Sequence, residues 1–312
     1  MQRLNLWMRW CLFAGLVGLL SPAHAFPVCV ISSDKAPAFQ EAADSLVQEL
    51  VRGGMARQDI ALLSTADLAE PGRTCADTRL IVTLGTDALR QVGSRNMKTV
   101  VMAGLIPRIA FERVLQDGSR KNPYPIAALY LDQPLGRQLD LLRLAMPAAR
   151  RIGVLWGPES VLQQPMLAAM LAARGLELSE GTFTEGQPLI GPLRAALLDA
   201  DVLLAMADGS AFNPSTASNI LLTSYRAKTP VMAFSPAYVK AGALLSVHST
   251  ATQAGVQLAA MASQFLQTNA LPASQYPQDF SITVNEYVAH SLGLELDAKV
   301  LVTRLRRLEK KL

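Results

Sequence analysis

The sequence predicts an α/β protein of two doubly wound, parallel-sheet lobes joined by a hinge, with a ligand cleft between them. A strand–turn–helix unit occurs twice, as "TRLIVTLGTDAL" (Thr78–Leu89) and "ADVLLAMADGSAF" (Ala200–Phe212). Its strands are continuous apolar runs alternating with amphipathic helical patterns, which is how parallel sheets covered on both faces read. The chain is also large and apolar enough for two cores, with 312 residues, 50% of them hydrophobic and 17% charged.

Residues 1–25 read as a secretory leader. Arg3 and Arg9 supply a positive start, Cys11–Leu20 an apolar stretch, and "SPAHA" a small-x-small cleavage signal before Phe26. The apolar stretch is shorter than the about 20 residues a membrane span needs. Cys29 follows Pro27 and Val28 rather than the small residue a lipid-attachment site requires. A cleaved leader places the mature protein in the periplasm. Its removal leaves 27 basic against 25 acidic residues, a balance of +2 that excludes a strongly basic nucleic-acid binder. Two cysteines remain, Cys29 in the first strand-like run and Cys75 just before another. In an oxidising compartment a disulfide between them is favoured over two buried thiols.

Taken in order, strand "FPVCVISS" is followed by helix "APAFQEAADSLVQELVRGG", whose Gly pair suits a C-cap. Strands "DIALLS", "RLIVTLG" and "KTVVMAG" follow, with helix "TDALRQVG" between the last two, and then "IAALYLD". The alternation restarts after helix "PLGRQLDLLRLAMP" with strand "RIGVLWG", helix "VLQQPMLAAMLAARG", "LELSEG", helix "LIGPLRAALLDA", strand "DVLLAMAD", helix "STASNILLTSYRAK" and strand "PVMAFS". No strand shows the in–out alternation of an exposed antiparallel sheet. The first lobe is expected over 26–132 and the second over 133–249, completed by about 250–280 and 281–312 respectively. A long helix "TATQAGVQLAAMASQFLQT", a Pro-bearing linker, strand "SITV" and two helices left after two sheets imply that the chain crosses between lobes more than once, which makes a hinge.

In open parallel sheets the turns at the carboxyl ends of strands hold the ligand. That rule selects Ser32, Ser33, Gly85, Thr86 and Gly104 in the first lobe. Thr86 reads equally as an N-cap and as a ligand contact at a helix N-terminus. Gly104 would let a ligand approach the backbone. In the second lobe the rule selects Trp156, Asp208, Phe234 and Ser235, with Tyr238 on a flanking helix. Trp156, the one tryptophan outside the leader, reads either as a stacking wall or as packing between helix and sheet. Asp208 reads as the partner of a ligand amine or as a turn residue.

The segments "LDQPLGRQLDLLRLAMPAARRIGVLWGPES", "PVMAFSPAYVKAGALLSV" and "ITVNEYVAHSLGLEL" resemble the periplasmic substrate-binding proteins of ABC transporters, in the group that includes tryptophan- and tyrosine-binding members. The resemblance implies a type I periplasmic-binding-protein fold with three interlobe crossovers. It also implies a small-molecule ligand, an amino acid or related compound among the candidates, and an inner-membrane permease as partner. The chain departs from that pattern in "VVMAGLIPRIAFERVLQDGSRKNPYPIAALYLD" and in "HSTATQAG", both at expected cleft positions. The resemblance therefore carries the fold and not the ligand. A sensory or accessory role, reporting the ligand state to a receptor or an outer-membrane uptake system, uses the same fold.

Catalytic and cofactor motifs are missing: no Gly-x-Gly-x-x-Gly, phosphate-binding loop, His-Glu-x-x-His or Gly-x-Ser-x-Gly occurs. His248 and His290 have no carboxylate or cysteine cluster at metal-ligand spacing. The expectation is a non-catalytic monomer with no cofactor and no metal.

Overall fold

The computed structural model describes residues 27–69, 75 and 78–310; the leader expected over 1–25 lies outside them. The chain runs β1 (Val28–Ser32), α1 (Pro37–Arg52), β2 (Ile60–Ser64), β3 (Leu80–Leu84), α2 (Thr86–Gly93), β4 (Val100–Ile106), α3 (Arg108–Gln116) and β5 (Ile126–Tyr130). It continues with α4 (Leu135–Ala145), β6 (Arg151–Trp156), α5 (Gln164–Ala172), β7 (Glu177–Thr182), α6 (Ile190–Leu197), β8 (Val202–Leu204), α7 (Pro214–Arg226), β9 (Val231–Ala233), α8 (Pro236–Ala241) and β10 (Leu245–His248). The last elements are α9 (Ala251–Thr268), β11 (Ser281–Val284), α10 (Glu286–Ser291) and α11 (Ala298–Glu309).

These elements form two sheets, ordered β2-β1-β3-β4-β5 and β11-β10-β9-β8-β6-β7. The first is wholly parallel. Its central strands β1, β3 and β4 bury both faces, because successive side chains point opposite ways and helices cover each side. Val28 and Val30 meet α1 and α9, while Cys29 and Ile31 meet α2 and α3. The second sheet is parallel except at one edge, where β11 runs antiparallel to β10. That edge corrects the all-parallel expectation. β11 is only four residues long, too short for its alternation to stand out in the sequence. One face of this sheet packs on α4, α5 and α11, the other on α6, α7 and α8.

Three chain segments pass between the sheets: 131–134 from β5 to α4, 249–250 from β10 to α9, and the segment from α9 to β11. The third first touches the edge of the first sheet, where Gln275 bridges Leu129 of β5. One hydrogen-bonded knot ties all three. Gln133 Nε2 donates to Ser249 Oγ (3.0 Å), and Ser249 Oγ donates to the Asp279 carbonyl (2.7 Å). Arg137, 8% exposed, donates to Gln133 Oε1 (2.7 Å), to the Pro277 carbonyl (2.9 Å) and to Glu309 Oε1 of α11 (2.5 Å). Its guanidinium also lies 4.5 Å from the centre of the Phe280 ring.

Cys29 and Cys75 form a disulfide, with Cα atoms 6.0 Å apart and 46 residues of separation. It pins the segment before β3 to β1 within the core under α2 and α3. Closing a loop of that length stabilises the fold by about 4 kcal/mol in the chain-entropy model. Thiol titration of the unfolded protein beginning at Phe26 should find no free thiol, and reduction should lower the melting temperature. Two reactive thiols without reductant would contradict the bond.

Candidate functional site

A cavity of about 440 Å³ lies between the sheets, against the hinge. The first lobe contributes Pro107 and Arg108 after β4, and Leu131 and Asp132 after β5. The second contributes Glu159 and Gln163 beyond β6, Met206–Gly209 and Phe212 beyond β8, and Phe234–Pro236 beyond β9. Gln133, Ser249 and Tyr276 of the crossing segments, with His248 at the end of β10, close the back. Gln133 and Ser249 are thus both cavity wall and members of the hinge knot.

Phe212 and Phe234 meet edge to face at 6.2 Å, and Tyr238 packs against both, at 6.3 and 5.3 Å. This cluster stiffens one wall. Tyr238 itself stands outside the lining; its hydroxyl is buried without a protein partner, and burial pushes it up to about 12. Facing these rings, Arg108 donates to Tyr276 Oη (2.9 Å) and to Glu112 (2.7 Å), which hold its guanidinium above the usual range. Asp132 is half-buried and accepts the Arg108 backbone N–H at 2.5 Å; burial nevertheless pushes its carboxyl up. Burial pushes the His248 imidazole down, favouring its neutral form. At the mouth, Arg113 of α3 pairs with Glu159 at 2.7 Å, bridging the two lobes. Among the described residues no group of three or more His, Cys, Asp or Glu could hold a metal ion, and no helix is long and apolar enough to cross a membrane.

Of the residues selected from the sequence, Asp208, Phe234 and Ser235 line the cavity. Ser32, Ser33, Gly85 and Thr86 do not. They end the inner strands β1 and β3, whereas the cavity abuts the β4–β5 side. The Ser33 hydroxyl accepts the Ala88 N–H (2.8 Å), so it serves the start of α2. Thr86 is not the N-cap; Gly85 holds that position at φ 92°, a conformation suited to glycine. Gly104 is buried under α9, where an added Cβ would meet Leu258 Cδ1, so helix packing and not a ligand accounts for its small size.

Trp156 also departs from its expected place on the cleft wall. It is 0% exposed within the core against α4 and α5, and its indole N–H donates to Glu180 (2.8 Å). Asp208 lines the cavity but is 1% exposed, and its carboxylate is occupied by the protein. It accepts the N–H groups of Glu159 (2.9 Å), Ser160 (2.7 Å), Ser210 (3.0 Å) and Ala211 (3.3 Å), and the Ser160 hydroxyl (2.9 Å). It ties the turn beyond β6 to the turn beyond β8 instead of waiting for a ligand amine.

Arg108, Asp132, Gln133, Glu159, His248 and Tyr276 were not selected from the sequence. Asp132 closes "IAALYLD", so the strand-end rule could have found it. Tyr276 sits in a linker with no periodic signal.

Two outcomes follow. Asp208→Ala should lower stability by about 2–4 kcal/mol, because several buried donors lose their acceptor. A chemical denaturation curve checks this, and an unchanged midpoint would show that the turns hold without the carboxylate. In protein lacking the leader, Trp156 emission should be blue-shifted and nearly insensitive to any ligand that fills the cavity; a large ligand-induced change would put the indole at the site.

The model of the family described as ABC transporter substrate binding protein matches residues 60–306. No curated protein matches the sequence. Among solved structures, the chain is similar to a ligand-free, open substrate-binding protein with adhesive properties from Clostridium difficile, at 17% identity and TM-score 0.66, covering 87% of this chain and 96% of that one. It is also similar to an ABC domain in complex with L-Trp from Streptococcus pneumonia, at 17% identity and TM-score 0.59 over 88% and 96% of the two chains. A conserved domain protein from Vibrio cholerae gives 22% identity and TM-score 0.59 over 88% and 96%. At these identities the structures speak for the fold, two α/β lobes of type I periplasmic-binding-protein type. The family match covers both lobes, and the chain belongs to the ABC transporter substrate-binding protein family.

Proposed function

We propose that this protein is the exported receptor of an ABC-type uptake system. Released from its leader into the periplasm, it captures a small molecule, an amino acid or a related compound, and delivers it to an inner-membrane permease. The observation that carries this reading is the cavity itself. Its walls come from both lobes, and its back is the segment set on which the lobes would pivot. A ligand touching Asp132 on one side and Phe234 on the other favours the arrangement in which both walls are close. Its apolar lining with a few convergent polar groups suits a small organic molecule. The L-Trp held by a protein of similar fold supports the amino-acid candidate.

The Arg113–Glu159 pair adds to closure without deciding it. Arg113 is 62% exposed at its side chain, and such surface pairs contribute about 0–1 kcal/mol.

Protein recovered from a periplasmic extract should begin at Phe26 and release a small molecule on denaturation, identifiable by mass spectrometry. Returned to ligand-free protein, that molecule should reduce the radius of gyration and raise the melting temperature, since it binds only the folded form. A compound that binds by calorimetry yet leaves scattering unchanged would contradict closure. No recoverable ligand and no binder in a metabolite panel would contradict the receptor reading.

A further inference from the structure

Charged side chains on the cavity wall are answered from within the protein, with one exception among the described residues. Arg108 pairs with Glu112 and is held by Tyr276. Glu159 pairs with Arg113. The Asp208 carboxylate is filled by backbone and hydroxyl donors. Asp132 has no ion pair. Its Oδ2 accepts the backbone N–H of Arg108, its own backbone N–H also favours the charged form, and the Arg108 guanidinium, engaged by Glu112 and Tyr276, acts on it without forming an ion pair. Half-buried beside an apolar cavity, an ionised carboxylate without a cation is costly. The cavity wall and its immediate partners therefore carry two negative charges without a paired cation, and of these Asp208 is filled by five protein donors, which leaves Asp132, just past β5, as the carboxylate open to a ligand. Met206, Phe212 and Phe234 line the same space from the second lobe, where ring faces tolerate a cation and favour an apolar chain.

We infer that the cavity selects a ligand by a protonated amine placed at Asp132, with an apolar body against Phe212, Phe234 and Met206. The inference rests on the receptor reading above and narrows it. The amine is the recognised group, and a carboxylate on the ligand is not required, because the one arginine lining the cavity is already neutralised by Glu112. It also moves the amine partner from Asp208, which the sequence suggested, to the other lobe.

The test uses matched probes on protein beginning at Phe26, freed of any co-purifying ligand by unfolding and refolding. The amines 2-phenylethylamine and hexylamine are titrated by calorimetry beside 2-phenylethanol, hexanol, 3-phenylpropanoate and heptanoate. The amines should bind at least about tenfold more tightly than either matched series. Asp132→Asn, which keeps an acceptor for the Arg108 N–H, should erase that preference, and Asp132→Glu should retain part of it. Arg108→Gln should tighten amine binding, since it leaves the Glu112 carboxylate unpaired and takes the Arg108 charge away from Asp132. Circular dichroism and melting curves establish that each variant is folded. Alcohols or carboxylates binding as well as amines, a preference that survives Asp132→Asn, or silence of both amines at millimolar concentration would each overturn the amine assignment. A small molecule still recovered from the native protein, reducing its radius of gyration on return, would leave the receptor reading standing in those cases. Its absence would remove both.

Discussion

The arrangement of the two lobes depends on a buried cation. Arg137 sits on α4, just past the first crossing segment, with 8% of its surface exposed. Removing a guanidinium from water is unfavourable unless its donors and charge are met. Here they are met by Glu309 on the last helix, by Gln133, by the carbonyls of Pro277 and Gln278, and by the face of Phe280. These partners come from chain segments far apart in sequence, so the cation is satisfied only when the segments converge. Arg306, which pairs with Asp279 and also lies over Phe280, reinforces the same corner from α11.

The cavity inherits its position from that knot. Gln133 and Ser249 face the ligand space on one side and exchange hydrogen bonds with the hinge on the other. A ligand contacting either residue acts directly on the segments about which closure would occur. The second lobe brings a wall that is already rigid. Asp208 fixes two turns in one register, and Phe212 and Phe234 of the lining are braced by each other and by Tyr238 behind them. The first lobe brings less: the end of β4, the end of β5 and the start of α3.

The architecture was legible because strand and helix periods are set by local sequence. Doubling of the strand–turn–helix unit announced two lobes, and one cysteine within the first strand with another just before a neighbouring strand favoured the disulfide. The site was legible only as a rule, that ligands lie at the carboxyl ends of parallel strands. Which ends matter depends on strand order, and strand order is a tertiary fact. Ser33, Gly85 and Thr86 obey the rule on inner strands and serve α2 instead; Asp132 obeys it on the edge strand and reaches the cavity. Trp156 shows a second limit. Being the last residue of a strand does not say which face its side chain takes, and this one points into the core with Glu180 for a partner. Arg108 and Tyr276 meet across 168 residues, a pairing that no periodic pattern records.

Hydrogen–deuterium exchange, followed by peptide mass analysis with and without the small molecule recovered from the protein, tests the placement of the site most directly. The account predicts that the molecule protects the segments around 131–138, 206–212, 234–236 and 247–249, leaving the turns after β1 and β3 unchanged. Protection concentrated at 32–39 and 85–93, with the hinge-side segments unaffected, would place the ligand at the turns after β1 and β3 and contradict the cavity described here.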